Sequence, residues 1–263
     1  MTRPLFLTDL ADPLPTPGSG VRLGGDEGRH AAVVKRITAG EEILLADGAG
    51  RGLIGEVTAA DKQGLDVTVR QLLAAPPPAR RLTVAQALAK GDRGELAVEM
   101  MTEVGVAEIL AWQASRSIVK WTGERGAKSL RKWASTAREA TKQSRRLRVP
   151  AVAGPLSTRQ LIARVQTADL ALVLHEDATE SLAQQQIPAA GEILLVVGPE
   201  GGISPEELDA LTAAGARPVS ISDGVLRTST AGVVAAGYLA LPASLCQDSG
   251  DVSTSQTRHR VSQ

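Results

Sequence analysis

Three prolines in a row, Pro76 to Pro78, limit what this chain can fold into more than any other feature. Proline has no backbone N–H and a fixed φ, so neither a helix nor a central strand can run through them. The segment AAPPPAR, Ala74 to Arg80, therefore reads as a linker over 74–80. It separates two stretches with different hydrophobic periods, and 263 residues suffice for two domains.

Before the prolines, residues 1–73 carry short apolar runs divided by Gly/Asp turns: EEILLADGAGRG, LIGEV and GLDVTVRQLL. This spacing predicts a small β-rich barrel or sandwich. After them, over 81–243, apolar runs alternate with amphipathic stretches. RLTVAQALA, AEILAW, ADLALVLH, EILLVV and RPVSIS read as strands, and GDRGELAVEMMTEVGV reads as a helix ended by Gly105. Such alternation predicts an α/β domain with a mainly parallel sheet covered on both faces. Residues 244–263, SLCQDSGDVSTSQTRHRVSQ, are too polar to bury themselves and read as a disordered tail.

Charge is unevenly spread. Twenty-nine basic residues balance twenty-nine acids, yet Arg116 to Arg148 holds eleven Lys or Arg against only Glu124 and Glu139. Over 127–141, residues Ala127, Leu130, Ala134, Ala137 and Thr141 form a small-residue face at helical spacing that can pack on a sheet. Beside it Lys128, Arg131, Arg138, Lys142 and Arg145 form a basic stripe, continued by QSRRLR. Acids are too scarce there for i,i+4 pairing, so the stripe reads as a contact surface for phosphates. With five aromatic residues in all, base stacking is not the expected main mode of binding.

One cysteine, Cys246, excludes an internal disulfide and multi-cysteine metal sites, and His30, His175 and His259 are not at ligand spacing, so no metal is expected. No segment has the length and apolarity of a membrane span, and a reducing cytosol is the expected compartment.

Two clusters carry the chemistry. In LLVVGPEGGISPEEL, Leu194 to Leu208, a buried strand runs into Gly198, Gly201 and Gly202, and Ser204, Pro205 and Glu207 supply an N-cap, an N1 proline and the carboxylate of a capping box. The loop lacks the Lys-Ser/Thr of a P-loop and the order of a dinucleotide fingerprint, and Glu200 would repel phosphate. A structural turn and a ligand site are evenly balanced at this point. In SISDGVLRTSTAGVVAAGYLALP, a strand ends near Ser222, Asp223 and Gly224 turn, and Thr228 or Ser229 is placed to cap a helix rich in Ala and Gly. Arg227 is the only charge from Gly224 to Pro242.

These segments, with KGDRGELAVEMMTEVGVAEILAWQASRSIVKW between linker and basic stripe, resemble the ribosomal small-subunit methyltransferase E family, whose members methylate N3 of a uridine in 16S rRNA. HAAVVKRITAGEEILLADG resembles a family segment that places Arg36 on its arginine. TKQSRRLRVP resembles another, with Gln143, Arg146, Val149 and Pro150 in register. LRTST stands where the family has LRTET, putting Ser229 in place of a Glu; Ser222 replaces a common Gly, and Lys142 a common Glu.

The resemblance implies a SPOUT-type domain with a C-terminal trefoil knot, an N-terminal PUA-like β-barrel, a homodimer, and S-adenosylmethionine as cofactor. Carried over, the cofactor contacts are Leu174, His175 and Glu176; Gly198, Pro199, Glu200, Gly201 and Gly202; and Ile221, Gly224, Leu226 and Thr228. The 16S rRNA partner is assigned to Arg36 and to Lys128, Arg131, Arg138, Lys142, Arg145 and Arg146. Uracil N3 must lose its imide proton, and the charge spreads onto O2 and O4; Arg227 is the first candidate to stabilise it and Arg146 the second. N3 lies on the pairing edge, so the base must be unpaired or flipped.

Overall fold

The computed structural model describes residues 3–241. The expected tail, with Cys246 and His259, lies outside the described residues.

The N-terminal part is a five-stranded sheet of β1 (Leu5–Leu7), β2 (Gly20–Leu23), β3 (Glu42–Ala46), β4 (Arg51–Asp61) and β5 (Gly64–Ala74), in the order β1-β3-β4-β5-β2. The β1–β3 pair is parallel and the others antiparallel. Register shifts at Ile54/Gly55 and Val57/Ala59 bend β4. At the first, a Cβ on Gly55 would run into Val67, so only glycine lets the strands cross so closely. The sheet curls around Phe6, Leu23, Ile43, Leu45, Leu53, Val57 and Val67. A short helix α1 (Gly25–Arg29) and a π-helical turn (His30–Val34) lie beside it. The sequence reading found β3, β4 and β5 but neither β1 nor β2, which have three and four residues and are too short to show alternation.

Beyond the extended residues 75–79 the second sheet begins. Its elements are β6 (Arg80–Ala87), α2 (Arg93–Val104), β7 (Glu108–Trp112), α3 (Gly123–Gln143), β8 (Ala151–Leu156), α4 (Thr158–Val165), β9 (Leu170–Leu174), β10 (Gly191–Val197), α5 (Pro205–Ala213), β11 (Arg217–Val219) and α6 (Thr228–Ala240). All pairings in the order β11-β9-β10-β6-β7-β8 are parallel. Alternation along the strands feeds two cores. Leu82, Val84, Ile193, Leu195 and Val197 face α2, α3 and α6, packing on Met101, Trp133, Ala137, Ala235 and Leu239. Ala85, Ala87, Leu110, Trp112, Leu194 and Val196 face α4 and α5, meeting Leu161, Val165 and Leu211.

Several local readings change. β8 was not predicted: Pro155 lowers the strand signal of VAGPL, and the proline is tolerated because β8 is an edge strand. The RPVSIS strand stops at Val219. The packing face of α3 is rotated from the expected one: Ala134 is exposed, and the buried side is Gly126, Trp133, Ala137, Ala140 and Thr141. Trp133 wins that face because its large ring packs edge-on against Trp121 with centroids 4.9 Å apart, burying more than an alanine does. Gly105 ends α2 in the left-handed conformation, as its position implied.

The two parts meet along the segment after α3. Leu147 and Val149 pack with Leu5, Leu7 and Ala46, and Gly50 N–H donates to Leu147 O at 3.0 Å. Arg148 Nε donates to Ala75 O at 2.9 Å.

Candidate functional site

The site forms where neighbouring strands send their helices to opposite faces. β6 and β10 pair side by side, yet α2 after β6 covers one face and α5 after β10 covers the other. The two loops part at the carboxyl ends of the strands and leave a crevice, the usual ligand position in such sheets.

The loop after β10 is Gly198-Pro199-Glu200-Gly201-Gly202. Gly202 N–H donates to Pro199 O at 2.9 Å, closing a turn, and Gly202 has φ +71°, which a side chain disfavours. Three other segments hold this loop. Lys90 N–H donates to Glu200 Oε1 at 3.0 Å, Arg116 Nη1 donates to Gly201 O at 3.3 Å, and Thr228 Oγ1 donates to Gly198 O at 2.7 Å. Glu200, which argued against phosphate, thus ties its loop to the β6–α2 connection.

Below the loop lies a polar pair within the core. Gln86, fully buried on β6, donates from Nε2 to Thr228 Oγ1 at 2.9 Å, so the threonine hydroxyl links β6, α6 and the glycine loop. Gln86 Oε1 has no hydrogen-bond partner among the described residues. A single polar residue between Ala85 and Ala87 in an apolar run was the available signal for this link. Thr228 and Ser229 do not cap α6 as expected; both are buried in its first turn, and Arg227 occupies the N-cap without a side-chain bond.

The helix after the glycine loop starts as read, with Ser204 Oγ accepting from Glu207 N–H at 3.3 Å and Pro205 at its first position. Only half of the expected capping box forms. The buried Glu207 carboxylate turns away and accepts from Ser115 N–H (2.8 Å), Ser115 Oγ (2.7 Å) and Thr158 Oγ1 (2.7 Å). Three donors outweigh the one N–H that a capping box would satisfy, and the connection from β7 to α3 is clamped beside the glycine loop. Glu206, in the first turn of α5, is held below the usual carboxylate range by a backbone N–H bond, then by Ser204 and the charge of Arg116.

Together these segments enclose a cleft of 810 Å³, within the size range of small-molecule sites. Leu174, His175 and Glu176 line it from the end of β9, and Gly198, Pro199, Glu200, Gly201 and Gly202 from the end of β10. Ile221, Gly224, Leu226, Arg227 and Thr228 close it before α6. Arg93 and Arg116, which sequence reasoning did not place here, line it too. His175 Nδ1 accepts from Asp177 N–H at 3.2 Å, which occupies that nitrogen. A neighbouring hollow of 560 Å³ shares His175, Asp177 and Leu208 with the cleft but includes none of the glycine loop. Among the described residues no group of three or more His, Cys, Asp or Glu is placed to hold a metal ion.

The remaining candidates are dispersed. Arg146 does not line the cleft; its Nε donates to Glu103 O at 2.8 Å at the far end of α2, and its guanidinium packs on Gly105. In the basic stripe, Arg131 pairs with Glu124 at 2.6 Å, and Lys142, with a side chain only 13% exposed, pairs with Glu27 at 3.0 Å and Glu139 at 3.2 Å. Arg138 donates to Leu7 O at 3.1 Å and approaches Glu27. Scarcity of acids within the helix did not leave these charges free, because its two acids, Glu124 and Glu139, both pair and Glu27 from the N-terminal part supplies a third. The side chains of Lys128, Arg145 and Arg36 have no hydrogen-bond or ion-pair partner among the described residues, and Arg145 and Arg36 both have positive φ (56° and 55°).

Residues 76–240 match the family model of an RNA methyltransferase domain, and residues 23–70 that of an RNA methyltransferase PUA domain. The chain is 48% identical over 230 residues to the ribosomal RNA small subunit methyltransferase E of Mycobacterium bovis, covering 86% of this chain and 88% of that protein. Its fold resembles the crystal structure of a ribosomal RNA small subunit methyltransferase E from Neisseria gonorrhoeae bound to S-adenosyl methionine, with TM-score 0.79, 26% identity, and coverage of 90% of this chain and 97% of that one. It also resembles a Legionella pneumophila methyltransferase in complex with bound SAM, with TM-score 0.76, 28% identity, and coverage of 90% and 96%.

Proposed function

The chain belongs to the ribosomal RNA small subunit methyltransferase E family, and from that premise we propose that it uses S-adenosylmethionine to methylate N3 of one uridine in 16S rRNA, with cofactor and base meeting in the 810 Å³ cleft. One observation carries this reading: segments 174–176, 198–202 and 221–228, far apart in sequence, line a single cavity.

The residues present fit the cofactor. Leu174, Ile221 and Leu226 offer apolar walls for a nucleoside, and the glycine loop offers main-chain polar groups. A Cβ on Gly202 would come within 4 Å of nothing but the tip of Arg116, and one on Gly224 would meet nothing, so both leave open space for a ligand. When bound, S-adenosylmethionine supplies an electrophilic methyl group. The chain's own task is to position the base and to hold the negative charge that forms as N3 loses its proton. Arg227 serves that second role: it lines the cleft, is exposed, and has no side-chain partner among the described residues. Arg146 is not retained within one protomer. No imidazole nitrogen at Nδ1 of His175 is free to take the proton, which passes to solvent.

Arg36, Lys128 and Arg145, which do not line the cleft, are the cations of the sequence-derived set that we assign to RNA. Arg131, Arg138 and Lys142 serve folding first. The division into domains at 1–73 and 81–243 with a linker at 74–80, and a knotted path in the C-terminal part, belong to the same reading. So does a homodimer: α6 carries no charged residue, and Val234 on it, Leu241 at its C-cap and Leu96 on the adjoining α2 are exposed large hydrophobic residues in the single chain. No helix among the described residues is long and apolar enough to cross a membrane, which accords with action on ribosomal subunits in the cytoplasm.

The test is to incubate purified protein and S-adenosylmethionine with small subunits from cells lacking this gene, then digest the 16S rRNA for nucleoside mass spectrometry. One 3-methyluridine per rRNA is expected. A ribose 2′-O-methyl product, or no transfer, would overturn the proposal.

A further inference from the structure

The arginines at the cleft are charged in a way the protein itself does not explain. Most of the positive charge that the sequence concentrates in α3 is consumed internally, with Arg131 on Glu124, Lys132 on Glu95, and Arg138 and Lys142 on Glu27. Arg93 and Arg116 are different. Each lines the cleft, neither has an acid within 4.0 Å among the described residues, and they come from separate elements, the start of α2 and the connection from β7 to α3. Arg93 donates no side-chain hydrogen bond, and Arg116 has only its 3.3 Å bond to Gly201 O.

Four of the cations on α3 find a carboxylate, and acids are at hand here too. Glu176, Glu200 and Asp209 line the same cleft. Glu200 accepts from the Lys90 amide instead, Glu206 feels the charge of Arg116 without forming an ion pair, and no acid lies within 4.0 Å of either arginine among the described residues. Two guanidinium groups without an ion pair in the lining of a cavity are poised for a ligand with negative charge. Val225, in the same lining and 78% exposed, adds an apolar contact that a phosphate alone does not need but a nucleotide does.

We propose that Arg93 and Arg116 form the phosphate clamp of the cleft, gripping the RNA backbone on either side of the target uridine while its base enters beside Arg227. This rests on the rRNA methyltransferase reading above and names its substrate subsite. A flipped base drags its flanking phosphates to the rim of the pocket that receives it, and arginine's planar fork binds phosphate oxygens in pairs. The clamp gives these two cations a partner that the fold does not supply.

The experiment compares Arg93→Gln, Arg116→Gln and the double variant with wild type in three readouts: melting temperature, S-adenosylmethionine binding by calorimetry, and binding of a 16S rRNA fragment across a salt series. Unchanged folding and cofactor affinity within about twofold are expected for Arg93→Gln, and a small loss of cofactor affinity for Arg116→Gln, whose bond to Gly201 O is removed, with the slope of log affinity against log salt falling by roughly 0.7 to 0.9 per arginine removed. KM for RNA rises with little change in kcat, and Arg93→Lys and Arg116→Lys restore the slope. If the double variant keeps the wild-type slope, or loses cofactor rather than RNA, the clamp is overturned and the arginines belong to the cofactor site. Failure of the parent reading shows separately, as a wild-type protein that neither binds nor methylates rRNA.

Discussion

Replacing Thr228 by Val keeps the shape of the side chain and removes only its hydroxyl, which isolates the link beneath the glycine loop. That hydroxyl accepts from Gln86 Nε2 at 2.9 Å and donates to Gly198 O at 2.7 Å. Gln86 is fully buried, its other contact is a long 3.4 Å bond to Ala87 O, and its Oε1 is already unpartnered. In Thr228→Val both the Gln86 amide and the Gly198 carbonyl lose their partner. A stranded buried polar group costs about 1–3 kcal/mol. Gly198 is only partly buried and regains water, so the pair amounts to roughly 2–4 kcal/mol. At about 2–4 °C per kcal/mol for a domain of this size, the melting temperature should drop by about 4–16 °C. Thr228→Ser keeps the hydroxyl and loses one methyl, a change of about 1 kcal/mol. Thermal unfolding followed by circular dichroism and cofactor titration read the two effects, and the valine variant should also bind S-adenosylmethionine more weakly. If valine melts within about 2 °C of wild type, or serine is as damaging as valine, packing of the methyl rather than the hydroxyl matters and the reasoning fails.

Other perturbations test other parts of the same frame. Glu207→Ala removes a carboxylate that takes three hydrogen bonds from Ser115 and Thr158; denaturant unfolding should show a loss of about 2–4 kcal/mol, with Glu207→Gln intermediate because one acceptor remains. Gly198→Ala places a Cβ 2.8 Å from Ile203 Cγ1, which is buried; overpacking of about 1–3 kcal/mol and weaker cofactor binding are expected, and wild-type calorimetry would refute the tight fit. Glu108 has a carboxyl that burial pushes up but Arg164 and Arg81, at 2.9 and 2.8 Å, hold below its ordinary value. A folded value below the unfolded one stabilises above the ordinary range of about 4.3 and is lost as pH falls through the lowered folded value. Stability measured from pH 6 to pH 3 should therefore fall less steeply for Glu108→Gln than for wild type, and parallel curves would remove Glu108 from the account.

Much of this protein follows from its sequence because its signals are local. The prolines at 76–78, the alternation of RLTVAQALA and EILLVV, the Ser204 cap, and the left-handed glycine at 105 each act within one or two turns, where backbone geometry alone decides. The glycine loop at 198–202 could be found in the same way, but its role stayed open until the family resemblance suggested a ligand, because a turn and a cradle use the same residues. What tertiary structure decided is the partner of each polar group. Lys142 meets Glu27 across 115 residues, and Gln86 meets Thr228 across 142. Glu207 leaves its own helix cap for Ser115 and Thr158. A charge on a helical wheel shows only which way it points. Whether it is neutralised depends on strand order and on which loop folds over it, and for that reason the stripe on α3 reads as RNA-facing in sequence but largely as internal pairing in space, while Arg93 and Arg116, outside the stripe, line the cleft without an ion pair.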